Sequence, residues 1–86
     1  MEANELKTTS VEGTVLEAFR AILGLDTVGP DVPFAALGGD SMRAVRVLSR
    51  LWRELDVELP VYALGNDTTA AELAAAIRAH LDGEAV

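Results

Sequence analysis

At 86 residues the chain is long enough for one domain with a modest core and too short for a deep catalytic cleft. Half of its residues are hydrophobic, which argues against disorder, and a formal net charge of −7 with a pI near 4.4 argues against general nucleic-acid binding. The absence of cysteine removes disulfides, thiolate nucleophiles and zinc–cysteine sites, and fits a reducing cytoplasm.

The first eight residues are polar and short of apolar side chains, so residues 1–8 are expected to form a flexible terminus. Thr9-Ser10-Val11-Glu12 has the spacing of a capping box, after which Val11, Val15, Leu16, Phe19, Ile22 and Leu23 share one helical face. Gly24 is the expected stop of this helix. From Gly24 to Asp40 no period is sustained, and Gly29-Pro30 and Pro33 punctuate the interval. Connections longer than about 12–15 residues without secondary structure are often functional. Leu25, Val28, Val32, Phe34 and Leu37 are expected to pin this one to the rest, with room for a short helical turn.

A second helix is predicted from Ser41 to Leu55, with Met42, Val45, Leu48, Trp52 and Leu55 as its apolar face. Asp56 to Leu59 reads as an extended connection, and Pro60 opens a short helix through Leu64. Gly65-Asn66-Asp67 is turn chemistry, and Thr69 to Glu72 is a second capping box. The last helix carries Leu73, Ile77 and Leu81, with Gly83 ending it and residues 83–86 forming a tail. The expected fold is an all-α, four-helix bundle over residues 9–82, with three main helices and a short third one. Its core should bring Phe19, Val45, Leu48, Trp52, Leu73 and Ile77 together. Tyr62 should pack, with its hydroxyl at the surface.

The functional signal lies in Leu37-Gly38-Gly39-Asp40-Ser41-Met42. Two glycines open backbone angles closed to other residues and clear the space beside Ser41. Asp40 and Ser41 are both favoured N-cap types, and a helical pattern begins at once. A serine hydroxyl at a helix N-terminus suits a phosphate, because unpaired N–H groups and the helix dipole favour negative charge there. The plainer explanation is a tight turn followed by an ordinary cap. A serine nucleophile is disfavoured: Met42 and Arg43 follow the serine where a hydrolase elbow needs Gly-x-Ser-x-Gly, and His80, the one histidine, belongs to the end of the last helix.

The run Phe34-Ala35-Ala36-Leu37-Gly38-Gly39-Asp40-Ser41 resembles the signature of peptidyl carrier domains, the thiolation domains of nonribosomal peptide synthesis. Leu59-Pro60 and Thr69-Ala70-Ala71-Glu72-Leu73-Ala74 extend the resemblance over most of the chain, from Val11 to Leu81. The chain departs from it at Ala35, where many members carry a second aromatic, and at Asn66-Asp67, where many have a proline. The resemblance implies that Ser41 is esterified with 4′-phosphopantetheine from coenzyme A, with Gly38, Gly39 and Asp40 shaping the site. It implies no catalysis by the chain itself. A phosphopantetheinyl transferase would attach the arm, an adenylating enzyme would load it with an amino acid as a thioester, and condensation or tailoring enzymes would use it. A chain opening on methionine and holding one domain fits a free-standing, monomeric, cytoplasmic carrier, and an excised domain of a synthetase fits equally.

Arg43, Arg46, Arg50 and Arg53 fall within roughly an 80° arc of the second helix, bordered by Met42 and Val47. Such a stripe is either a solvated face or a docking surface built from Met42, Arg43, Arg46, Val47 and Arg50. Carriers of fatty-acid synthesis are typically acidic along this helix, so the basic stripe resembles peptidyl carriers. The rival readings are an acyl or aryl carrier of a polyketide-type pathway and, from another class, an unmodified helical interaction module. No metal site, nucleic-acid partner or membrane partner is expected.

Overall fold

The computed structural model describes the backbone of residues 2–85 and the side chains of 11–81. Three α-helices make the frame: α1, Glu2–Leu23; α2, Ser41–Leu55; and α3, Ala70–Ala85. Two short turns of 3-10 helix, Phe34–Leu37 and Val61–Ala63, lie in the connections. The first falls within the long loop, and the second takes the place of the expected short helix after Pro60. No strand occurs among the described residues.

Both α1 and α3 outrun their expected ends. α1 begins at Glu2 rather than at the Thr9–Glu12 box, because nothing in residues 2–10 interrupts a helix: they hold no proline or glycine and several strong helix formers. α3 passes through Gly83, which costs about 1 kcal/mol in a helix interior and does not by itself stop one. Met1 and Val86 lie outside the described residues. Gly24 does end the regular part of α1, in a left-handed conformation with φ +70°. At the head of α3 the Thr69–Glu72 box closes reciprocally: Glu72 N donates to Thr69 Oγ1 and Thr69 N donates to Glu72 Oε1, each at 3.1 Å.

The core forms where the three helices meet. Val15, Ala18 and Phe19 of α1, Ala44, Val47, Leu48 and Leu51 of α2, and Ala70, Leu73, Ala74 and Ile77 of α3 are buried together, with Phe34, Val57 and Leu64 from the connections. α2 is rotated from the expected phase. Val45 and Trp52, expected inside, are 45% and 50% exposed, and Val47, expected at a docking border, is completely buried. Two apolar stripes run along α2, and the one that includes the small Ala44 and the branched Val47 faces α1 and α3. Tyr62, expected to pack, is 86% exposed. α2 ends at Asp56, whose left-handed conformation (φ 54°) directs its N–H to Trp52 O at 2.8 Å and turns Val57 inward.

Candidate functional site

The loop before Ser41 is held from both sides. Phe34 is buried and lies against Phe19 of α1, with ring centroids 5.2 Å apart at 60°. Phe34 N donates to Thr68 O at 2.8 Å and Ala35 N to Asn66 O at 2.9 Å, which ties the short turn to the segment ahead of α3. Ala71 N reaches back to Pro30 O at 3.0 Å, so three backbone hydrogen bonds join the loop to α3 and the segment ahead of it. Leu25, Val28, Val32 and Leu37 are half-buried; of these Val28 and Leu37 pack against the core, whereas Leu25 and Val32, also expected to pin the loop, are not part of that packing.

Gly38 and Gly39 do different work. Gly38 closes the Phe34–Leu37 turn at φ 94°, a region in which an L side chain is strained, and donates to Ala35 O at 3.1 Å. Gly39 donates to Phe34 O at 3.0 Å and lies so close to the Phe34 ring that a Cβ at this position would overlap it. The first glycine serves conformation and the second serves close approach.

Asp40 is the N-cap of α2. Its Oδ1 accepts from Arg43 N at 2.8 Å, and its Oδ2 accepts from Arg43 Nη1 at 2.8 Å. The Arg43 backbone N–H, foremost, and then the Arg43 charge hold the Asp40 carboxyl below its usual range against the opposing effect of desolvation. Ser41 follows as the first residue of the helix and is exposed. Beside it lies a hollow of about 250 Å³ bounded by Phe34, Ala44, Tyr62, Leu64 and Asn66. The arrangement presents one hydroxyl at the positive end of a helix, with its neighbouring carboxylate already neutralised by Arg43. No other acid, base or metal cluster converges there: no group of three or more potential metal ligands occurs among the described residues. No helix is long and apolar enough to cross a membrane among the described residues.

Of the proposed docking residues, Met42, Arg43 and Arg46 are exposed and Arg50 is half-buried. Val47 is removed from that surface by its burial. Arg50 Nε lies 3.1 Å from Glu54 Oε2, an ion pair without the alignment of a hydrogen bond. The exposed pair Val45 and Trp52 was missed by periodicity alone, since both stripes of α2 have helical spacing.

Comparison with known proteins follows the same residues. The sequence profile of the family described as "Phosphopantetheine attachment site" matches residues 13–77. Tyrocidine synthase 3 of Brevibacillus parabrevis is 41% identical over 64 residues, 74% of this chain, and the chain spans 1% of the length of that synthase. BlmI of Streptomyces verticillus, described as a type-II acyl carrier protein involved in bleomycin biosynthesis, superposes with a TM-score of 0.82 at 30% identity, covering 93% of this chain and 96% of its own. A solution structure described as a prototype for the peptidyl carrier domains of modular peptide synthetases superposes with a TM-score of 0.70 at 32% identity, covering 80% of this chain and 91% of its own.

Proposed function

The chain belongs to the phosphopantetheine attachment site family, and from that premise we propose that it carries an aminoacyl or peptidyl group as a thioester on a 4′-phosphopantetheine arm joined to Ser41. The family is one of carrier domains that hold this group covalently, and the residues here fit it. The observation that carries the assignment to Ser41 is its exposed position as the first residue of α2, capped by Asp40 and cleared by Gly38 and Gly39.

This chain's own residues contribute presentation rather than bond-making. The Ser41 hydroxyl offers an oxygen that a phosphopantetheinyl transferase would join to the pantetheine-bearing phosphorus of coenzyme A, while the pyrophosphate P–O bond breaks, adenosine 3′,5′-bisphosphate leaves and the serine proton passes to the transferase. The start of α2 favours the phosphodiester negative charge. Arg43 neutralises Asp40, so the phosphate does not meet a bare carboxylate. The arm supplies a terminal thiol that an adenylating enzyme acylates, and tethering raises the local concentration of the acyl group at each condensation or tailoring enzyme. Met42, Arg43, Arg46 and Arg50 form the surface those enzymes cross on the way to Ser41. The setting is cytoplasmic and the carrier monomeric.

The type-II acyl carrier described for BlmI supports a second reading, in which the cargo is an acyl rather than an aminoacyl group on the same serine. Intact mass spectrometry after incubation with coenzyme A and a broad-specificity transferase tests the site. One phosphopantetheine is expected on the native chain and none on Ser41→Ala, which keeps its helical circular dichroism. Labelling that persists in Ser41→Ala removes the assignment. Loading of the modified protein by adenylating enzymes of known acid specificity then separates aminoacyl from acyl cargo.

A further inference from the structure

Two threonines stand in succession between the Gly65–Asp67 turn and α3, and their hydroxyls serve different neighbours. Thr69 Oγ1 accepts from Glu72 N at 3.1 Å and caps α3. Thr68 Oγ1 turns back along the chain and accepts from Gly65 N at 3.0 Å, while Thr68 N donates to Gly65 O at 3.2 Å. The two bonds close residues 65–68 on themselves, as a threonine hydroxyl can when it bonds its own local backbone.

This turn is joined to the serine. Leu64, Gly65 and Asn66 line the hollow of about 250 Å³ that Asp40, Ser41 and Ala44 also line. The same segment holds the loop that ends in Ser41: Phe34 N donates to Thr68 O at 2.8 Å and Ala35 N to Asn66 O at 2.9 Å. Phe34 O in turn accepts from Gly39 N at 3.0 Å, and Gly39 precedes the Asp40 cap. Backbone hydrogen bonds therefore run from the Thr68 carbonyl through Phe34 to Gly39. The Phe34 ring lies between Phe19 and Gly39 with no room for a Cβ on the glycine, so a shift of Phe34 is passed on to Gly39.

We propose that Thr68 is a positioning residue for Ser41: its hydroxyl fixes the 65–68 turn, and the turn, through Phe34 and Gly39, sets where the serine hydroxyl stands for attack on the incoming phosphorus. The inference rests on the carrier reading of Ser41 and deepens it. It separates recognition from aim. The transferase meets Met42, Arg43 and Arg46 on α2, whereas Thr68 belongs to another segment, so loss of its hydroxyl leaves the docking surface in place and lets the attacking oxygen drift. A misplacement of about 1 Å in a reacting group can cost on the order of 100-fold in rate.

Thr68→Val keeps the branched shape and removes the hydroxyl, and the exposed Gly65 can give its N–H to water. Transferase kinetics with coenzyme A compare the native chain, Thr68→Val and Thr68→Ser. Thr68→Val is expected to lower kcat about three- to tenfold with KM within about twofold of native, and Thr68→Ser to keep the native rate. With no transferase present, hydrogen exchange on the full chain should show lost protection at the amides of Phe34, Ala35 and Gly39 in Thr68→Val, and unchanged protection at those of Leu51 and Ile77. A threonine that only stabilises the fold gives another pattern, in which Thr69→Val, by uncapping α3, slows modification as much as Thr68→Val does. That outcome overturns the proposal. So do a native kcat in Thr68→Val, a loss carried by KM alone, a Thr68→Ser variant as slow as Thr68→Val, and a general loss of helical circular dichroism in Thr68→Val. The two conclusions fail separately: equal modification of the native chain and Thr68→Val sinks the positioning role and leaves the carrier standing, whereas a native chain that gains no mass at Ser41 sinks both.

Discussion

Gly39 and Asp40 show how little chemistry is needed to present one hydroxyl. Gly39 has no side chain because the Phe34 ring occupies the place of a Cβ, so Gly39→Ala must push the ring off Phe19 or lift the loop. That substitution is expected to destabilise the fold by about 1–3 kcal/mol, read by urea unfolding, and to slow modification of Ser41. Unchanged stability would mean that Phe34 swings aside freely. Asp40 links the site to pH. Its folded pKa is depressed below the ordinary value of 3.8, so its contribution is present above that value and is lost as pH falls through the folded one. The Arg43 amide should therefore lose protection, measured against its intrinsic exchange rate at each pH, as acid releases the cap, whereas Asp40→Asn should flatten that dependence. The placement of Ser41 at the exposed start of α2 was legible in the sequence because two glycines, a capping aspartate and the onset of a helical period coincide within a few residues.

At the scale of elements, the same spacing met two fates. Thr69–Glu72 acts as a capping box because Gly65, Asn66 and Asp67 break the chain just ahead of it, whereas Thr9–Glu12 lies inside α1 because the residues before it sustain a helix. The ends of α2 were readable, and its phase was not. Ala44–Val47–Leu48–Leu51 and Met42–Val45–Trp52 both recur with helical spacing, and only the packing of α1 and α3 decides between them. The structure's choice has a measurable consequence. Leu51→Ala is expected to cost about 2–5 kcal/mol, since Leu51 is fully buried among the three helices. Trp52→Ala, at a half-exposed site, is expected to cost less than about 1 kcal/mol despite the larger side chain removed. Denaturant titrations of the two variants check the rotation directly, and a larger loss for Trp52→Ala would reverse it.

For the whole molecule, an acidic body carries one basic ridge, and that asymmetry should govern how enzymes find Ser41. Arg46→Glu with Arg50→Glu is expected to slow modification or loading, chiefly through the association rate, with an effect that shrinks as ionic strength rises. Met42→Ala should weaken the complexes with little dependence on salt, because its contribution is apolar contact. Transferase kinetics at two ionic strengths check both, and equal rates for the double reversal would return the ridge to being a solvated face. The exposed Trp52 also decides what light can report. It is the chain's one tryptophan and is half in water in the folded state, so both unfolding and a contact on that side of α2 alter its surroundings. Its emission therefore moves in opposite senses for the two events, toward water when the helices part and away from it when something covers that side of α2.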